Sequence, residues 1–212
     1  MPTLHQSAEM RKLIPYVSTV TRQDKNISQI AIRSKHWRNG GNGGGGGGNA
    51  DPRPPGNFRF HSRNCLTCKQ LTDGRTSYSS SKTSRTYKIT RHYTCQTRYI
   101  CYLVTCLFCD KHPQYVGQSI QTMAGRHRGH RAEIKRGEAG LGEHFKKHMV
   151  DQGWDIEEVI KYFDLTIIAS VEEGRPNSKK RLNELETSFE NRLMTMSFHG
   201  GINIRDDSKR GN

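Results

Sequence analysis

Apolar side chains are scarce in this chain: 32% of its 212 residues are hydrophobic. That is too few to pack all of it, so part of the chain is expected to be disordered. No apolar run reaches the ~20 residues that a membrane-spanning helix needs, and residues 1–30 lack the compact apolar stretch of a signal peptide. No membrane partner is expected. A nuclear or cytosolic setting is the default, and we take the nuclear one. There, cysteines are more often thiols or metal ligands than disulfides. Acidic residues are also short: 20 Asp and Glu face 34 Lys and Arg, a formal charge of +14. The excess points to a polyanionic partner such as nucleic acid, although a solvated basic surface carries the same charge. Repeated finger units are missing too, which disfavours a stand-alone zinc-finger transcription factor.

What is present divides into segments. Residues 1–55 hold a glycine tract and a proline-rich stretch and read as a disordered tail or flexible linker, because such a segment cannot repay its ordering entropy. Residues 56–98 are basic, rich in Ser and Thr, and carry Cys65, Cys68 and Cys95. They read as a linker or small knuckle with an edge strand near residues 86–90. From 99 to 205 the pattern is that of a folded α/β (α+β) unit. Residues 99–107 and 114–118 form a candidate antiparallel hairpin across a turn-like spacer. Helices are expected over 122–136, 141–149 and 179–196, the last with Leu182, Leu185, Phe189, Leu193 and Met196 at helical spacing. Residues 163–171 are a strand candidate. Residues 206–212 are a polar tail. The expected fold is a small antiparallel sheet flanked by helices.

The chemistry-bearing constellation begins at Ile100-Cys101-Tyr102 and continues at Tyr115-Val116-Gly117. Arg126 follows nine residues after Gly117, and His130 four after that. Glu186 lies on the last expected helix, with Asn203 beyond it. Taken singly, these are unremarkable: strand tyrosines, a surface arginine, a solvated histidine, and a glutamate on a routine helix face. In this order and spacing they resemble the GIY-YIG nuclease superfamily, and are most similar to its version in Penelope-like retroelements, over about residues 60–205. The Gly-Ile-Tyr of the wider superfamily reads Ile-Cys-Tyr here. The retroelement branch also tends to lack that glycine. The residues before Tyr99 are too few for a reverse transcriptase, so the chain is expected to be the terminal piece of such an element or a stand-alone relative.

The resemblance implies a DNA endonuclease in which Tyr102, Tyr115, Arg126, His130, Glu186 and Asn203 line the site and Glu186 holds a single catalytic Mg2+ or Mn2+. The physics suits it. Phosphodiester hydrolysis needs a water nucleophile, a base and stabilisation of phosphate charge. Arg126 offers a permanently charged planar fork, and His130 lies one helical turn away on the same face. A phenol whose pKa is lowered beside a cation could serve as base. Arg85, Lys88, Arg128, Arg131 and Lys135 are expected to hold the phosphate backbone.

A second pattern concerns metal. Cys106-x-x-Cys109 lies on the hairpin, and His144-x-x-x-His148 puts two imidazoles on one helix face. Together they suit a tetrahedral structural zinc clasp, which also resembles what the retroelement branch adds to the nuclease fold. A buried thiol pair with two surface histidines is the plainer alternative. Cys65, Cys68 and Cys95 hint at a second zinc site, with His61 or His92 as the fourth ligand and His61 preferred. Cys101 is left over and is expected to be packed. The expectation is therefore a metal-dependent DNA-nicking enzyme of retroelement insertion, with RNA or a reverse transcriptase, in cis or trans, as further partners. The alternative is a catalytically silent nucleic-acid-binding module that keeps the fold.

Overall fold

The structure, a computed structural model, describes residues 53–61, 64–138 and 140–204. The expected polar tail over 206–212 and all but the last three residues of the expected disordered tail lie outside the described residues. Among those described, no helix is long and apolar enough to cross a membrane.

The elements are β1 (Gly56–Phe58), α1 (Leu66–Gln70), β2 (Ser77–Ser79), β3 (Thr86–Lys88), β4 (His92–Thr94), β5 (Ile100–Cys106), β6 (Gln114–Ser119), α2 (Met123–Arg136), α3 (Leu141–Gln152), α4 (Ile156–Val159), β7 (Phe163–Ser170) and α5 (Ser178–Leu193). The arrangement is mixed α+β. Its centre is a three-stranded antiparallel sheet in the order β6-β5-β7. β5 is the middle strand, and its Ile-Cys-Tyr-Leu-Val run is buried on both faces, as a strand covered on both sides must be. Cys101 turns to one face, where its thiol lies 3.7 Å from the carbonyl oxygen of Leu182 in α5. Tyr102, on the opposite pleat, meets α2. Two small ladders complete the unit, β1 with β4 in parallel and β2 with β3 antiparallel.

The outer edges of this sheet are closed by side-chain amides. Asn57 accepts from the Ile167 N–H (2.8 Å) and donates to the Ile167 carbonyl (3.0 Å) on β7. Asn203 does the same to Val116 on β6, at 2.8 and 2.7 Å. Both asparagines are buried. Each imitates one residue of an extra strand, and each bond contributes about 1 kcal/mol net. The Ile202 N–H also donates to the Gln114 carbonyl, at 2.9 Å.

Residues 56–98 are therefore built into the same compact unit as the sheet, rather than linking to it. Asn57 anchors them. Leu71 bridges Leu165 on β7, and Arg75 forks onto Asp164 at 2.7 and 3.0 Å. The last helix stops at Leu193, short of the expected residue 196. Met194 adopts a left-handed conformation (φ 57°) that caps it, and the chain returns so that Met196 bridges Asn203. α2 begins where the sequence suggests. The Thr122 hydroxyl accepts from the Gly125 N–H at 3.1 Å, a standard helix-start bond, and Gly137 ends the helix in the left-handed region.

Candidate active site and metal clusters

Sheet register builds the site. Tyr102 on β5 pairs directly with Gly117 on β6, and its ring lies against that glycine. A Cβ at Gly117 would sit 2.5 Å from the Tyr102 hydroxyl and 2.7 Å from the Tyr115 ring, so only glycine fits. Tyr115 is two residues before Gly117, on the same pleat. Its ring centroid is 6.3 Å from that of Tyr102 and 6.0 Å from that of His130.

α2 lays three side chains across these phenols, and together they form a closed ring of hydrogen bonds. The Arg126 Nε donates to the Tyr102 oxygen at 3.0 Å. The Tyr102 oxygen is 2.7 Å from His130 Nε2. His130 Nδ1 is 2.8 Å from one Glu133 oxygen, and Arg126 Nη1 donates to the other at 2.8 Å. One proton arrangement satisfies every link. His130 is neutral and donates from Nδ1 to the carboxylate, so its Nε2 accepts the Tyr102 proton. Burial keeps His130 neutral by holding its pKa below the ordinary value. The hydrogen bond from His130, with Arg126 adding to it, draws Glu133 down to about 2. Arg126 is raised by Tyr102 and Glu133 despite its burial.

The expected lowered phenol is not found. Burial pushes Tyr102 well above the usual tyrosine value, and Tyr115 upward as well. Arg126 opposes this for both, but desolvation of a phenolate beneath a sheet is the larger effect. Glu133, for its part, was missed. Its spacing three after His130 and seven after Arg126 was the available signal, but an acid on a basic helix reads first as a surface ion pair.

Glu186 reaches the same cluster from α5. It lies within electrostatic range of Tyr102, Tyr115 and Arg126. Its carboxylate accepts from the Gln118 N–H at the outer edge of β6. Burial, and then Glu190 one turn on, raise its pKa to about 7 despite that bond and Arg126. Asn203 sits nearby, but its amide is committed to Val116 and, at 2.8 Å, to Glu190. It positions β6 and α5.

The structure separates the expected phosphate-binding residues. Arg85 and Lys88 are exposed at and beside β3, and Arg128 and Lys135 are exposed on α2. At 100° per residue, those two lie about half a turn round the helix from Arg126 and Glu133. Arg131 pairs with Glu157 instead.

Two Cys/His clusters could hold a zinc-like metal ion. In the first, the Cys106 and Cys109 sulfurs are 3.7 Å apart, and the His144 and His148 Nε2 atoms 3.2 Å. Cys109 Sγ lies 3.8 and 3.3 Å from those nitrogens, and Cys106 Sγ 3.6 Å from His148. A tetrahedral zinc with ordinary bond lengths requires ~3.8 Å between sulfurs, ~3.5 Å from sulfur to nitrogen and ~3.3 Å between nitrogens. The donors fit that ion. In the second, His61, Cys65, Cys68 and Cys95 converge within 4.8 Å. His92 is not among these converging donors; it stacks on Phe58 with centroids 4.6 Å apart. Cys101 is fully buried and belongs to neither cluster.

Comparison with protein-family models, with curated proteins and with solved structures gives no match in any of the three.

Proposed function

We propose that the chain is a metal-dependent DNA endonuclease of the GIY-YIG type that nicks target DNA, as in retroelement insertion. The observation that carries this reading is the meeting of two phenols, an arginine, a histidine and the desolvated Glu186 carboxylate from four separate elements, β5, β6, α2 and α5. A routine basic surface has no need of that convergence.

Tyr115, Arg126, Glu133 and Glu186 are partly exposed, whereas Tyr102 and His130 are buried, so a phosphate would meet the first group before the second. Arg126 would neutralise charge building on its oxygens. Glu186 fits a divalent cation: it is a half-buried carboxylate raised to about 7 beside a second carboxylate, and a cation relieves such a site. Bound there, Mg2+ or Mn2+ would supply Lewis-acid stabilisation of the phosphate and the leaving oxygen. The base is then a relay rather than an acidic phenol. As water attacks phosphorus and the P–O bond to the leaving oxygen breaks, the water proton passes to the Tyr102 oxygen. The Tyr102 proton moves to His130 Nε2, and the Glu133 carboxylate against Nδ1 stabilises the imidazolium. The leaving oxygen takes its proton from solvent. Zinc at Cys106, Cys109, His144 and His148 would tie the β5–β6 turn to α3 as a structural clasp. Arg85, Lys88, Arg128 and Lys135 would hold DNA beyond the cut, and a reverse transcriptase or RNA would be a partner in a nuclear setting.

A silent binding module has one observation in its favour: Tyr102 is fully buried with its hydroxyl already bonded on both sides, as in a structural staple. Nicking of supercoiled plasmid separates the two. Wild-type protein should nick with Mg2+ or Mn2+ and not with chelator, whereas Glu186→Gln and Arg126→Ala should be inactive. Glu186→Gln should keep its DNA affinity. Wild-type protein that never nicks, and matches Glu186→Gln throughout, would leave the binding module as the function.

A further inference from the structure

The cluster of His61, Cys65, Cys68 and Cys95 precedes the clasp in sequence and shares no residue with it. His61 Nδ1 is 3.2 Å from Cys95 Sγ, and the Cys65 and Cys95 sulfurs are 3.9 Å apart. Both values suit ligands of one tetrahedral ion, for which ~3.5 and ~3.8 Å are required. The sulfurs are far beyond the ~2.05 Å of a disulfide, and three thiols cannot pair off among themselves. Cys68 and Cys95 are almost fully buried, whereas His61 is exposed.

The surroundings indicate what an ion there would do. The Cys95 carbonyl accepts from the Ala124 N–H at 2.8 Å, and the Thr97 carbonyl from the Met123 N–H at 3.1 Å. These are the first two residues of α2, whose N–H groups have no partner within the helix. Thr67, between Cys65 and Cys68, has its hydroxyl 3.0 Å from His127 Nδ1 one turn further along α2. His127 is buried, and burial lowers its pKa to about 3, so it meets Thr67 as a neutral ring. The peptide segments that carry the cysteines are thus the ones that grip the start of the helix bearing Arg126 and His130. α1, which begins within the cluster, is only five residues long and cannot hold itself in place without tertiary support.

We propose that His61, Cys65, Cys68 and Cys95 bind a second structural zinc ion, and that this ion fixes the start of α2 on the sheet. The ion is coordinated through three thiolates and one Nδ1 nitrogen, in contrast to the two thiolates and two Nε2 nitrogens of the clasp. Its consequence for catalysis rests on the endonuclease reading; its occupancy and its grip on α2 do not.

The test uses the full chain purified without chelator. Elemental analysis should give two zinc ions per chain, one for each cluster. His61→Ala removes an exposed ligand and disturbs no core, so it should fold. It should lose the ion of this cluster, or bind it with at least roughly 10-fold weaker affinity, and keep the clasp ion, whereas Cys109→Ser should lose the clasp ion and keep this one. Cobalt substituted into the Cys109→Ser protein should show the stronger thiolate charge-transfer band of a three-sulfur site, and that band should weaken in Cys65→Ser. Amide hydrogen exchange at residues 123–127 should quicken by roughly 10-fold or more in His61→Ala, with β5 and β6 unchanged. A single zinc in wild-type protein, lost only by clasp variants, would overturn the site. Two zincs with unaltered exchange at 123–127 in His61→Ala would overturn its role. Loss of nicking is a separate readout: a protein that never nicks but shows both zinc results keeps this proposal and loses only the enzyme.

Discussion

Consider replacing Glu186 with Gln in protein free of magnesium and manganese, with zinc held at a fixed free concentration. The folded-state pKa of Glu186 is raised from an ordinary 4.5 to about 7, first by burial and then by Glu190. Between those two pH values the folded protein binds the proton and the unfolded chain does not. The associated stability is therefore fully present below 4.5 and is lost as pH rises through about 7. At ~1.4 kcal/mol for each pH unit, the wild type should be weaker at pH 8 than at pH 4.5 by roughly 3 kcal/mol from this group alone. Glutamine carries no charge at either pH and fills the same volume. Glu186→Gln should thus be more stable than wild type at pH 8 by up to roughly 3 kcal/mol, or on the order of 10 °C in Tm for a unit of this size. Urea or thermal unfolding at pH 5 and pH 8 measures it. Adding Mg2+ should return the missing stability to the wild type and do nothing for the variant, because only the carboxylate binds the ion. The reasoning is refuted if both proteins lose stability in parallel from pH 5 to pH 8, or if the variant is the weaker at pH 8. Arg126 would then compensate the buried charge in full.

Four other outcomes are expected. Tyr102→Phe should slow nicking by roughly 10²-fold or more, the usual contribution of a positioned acid–base group, and should flatten the fall in rate toward acid pH that protonation of His130 imposes on wild type; an unchanged rate would remove the relay. Gly117→Ala should destabilise by more than about 2 kcal/mol in unfolding assays, since its Cβ has no room between two tyrosines. Cys109→Ser should lose the clasp zinc and its share of stability by elemental analysis and melting. Binding to DNA of arbitrary sequence should weaken steeply with salt, and Arg85→Ala with Lys88→Ala should reduce the log–log slope by about 2; a flat slope in wild type would refute a phosphate-tracking surface.

Periodic features were legible in the sequence. The β5–β6 hairpin, the helix from Thr122 and the strand from Phe163 follow from β-rich and β-branched runs, a turn-like spacer and a basic segment of helical length, all of which are local. The Cys106–Cys109 and His144–His148 pairs were legible because metal chemistry imposes fixed spacings. Other features depend on distances that no local pattern encodes. Asn57 carries no periodic signal, yet it ties residues 56–98 to β7. Whether a phenol beside Arg126 rises or falls in pKa depends on how deeply it is buried, and the burial of Tyr102 reversed the expected sign. The early end of α5 comes from Met194 turning left-handed, which leucine-spaced positions on either side do not foretell.

The paired asparagines at the sheet edges also define how far the unit can be shortened. Asn57 lies near the first described residue and Asn203 near the last. Each supplies a surrogate for a missing neighbour strand. A fragment trimmed to the strands and helices of 99–193 would keep every element of the site. It would also bare the peptide groups of Ile167 on one side and Val116 on the other. Exposed, flat and apolar strand borders recruit further copies of themselves. Such a fragment should form polymers through edge-to-edge addition of sheets, whereas one running from 53 to 204 should stay discrete. For this chain, the smallest piece expected to behave as a single molecule runs out to both amides, beyond the outermost elements of the site.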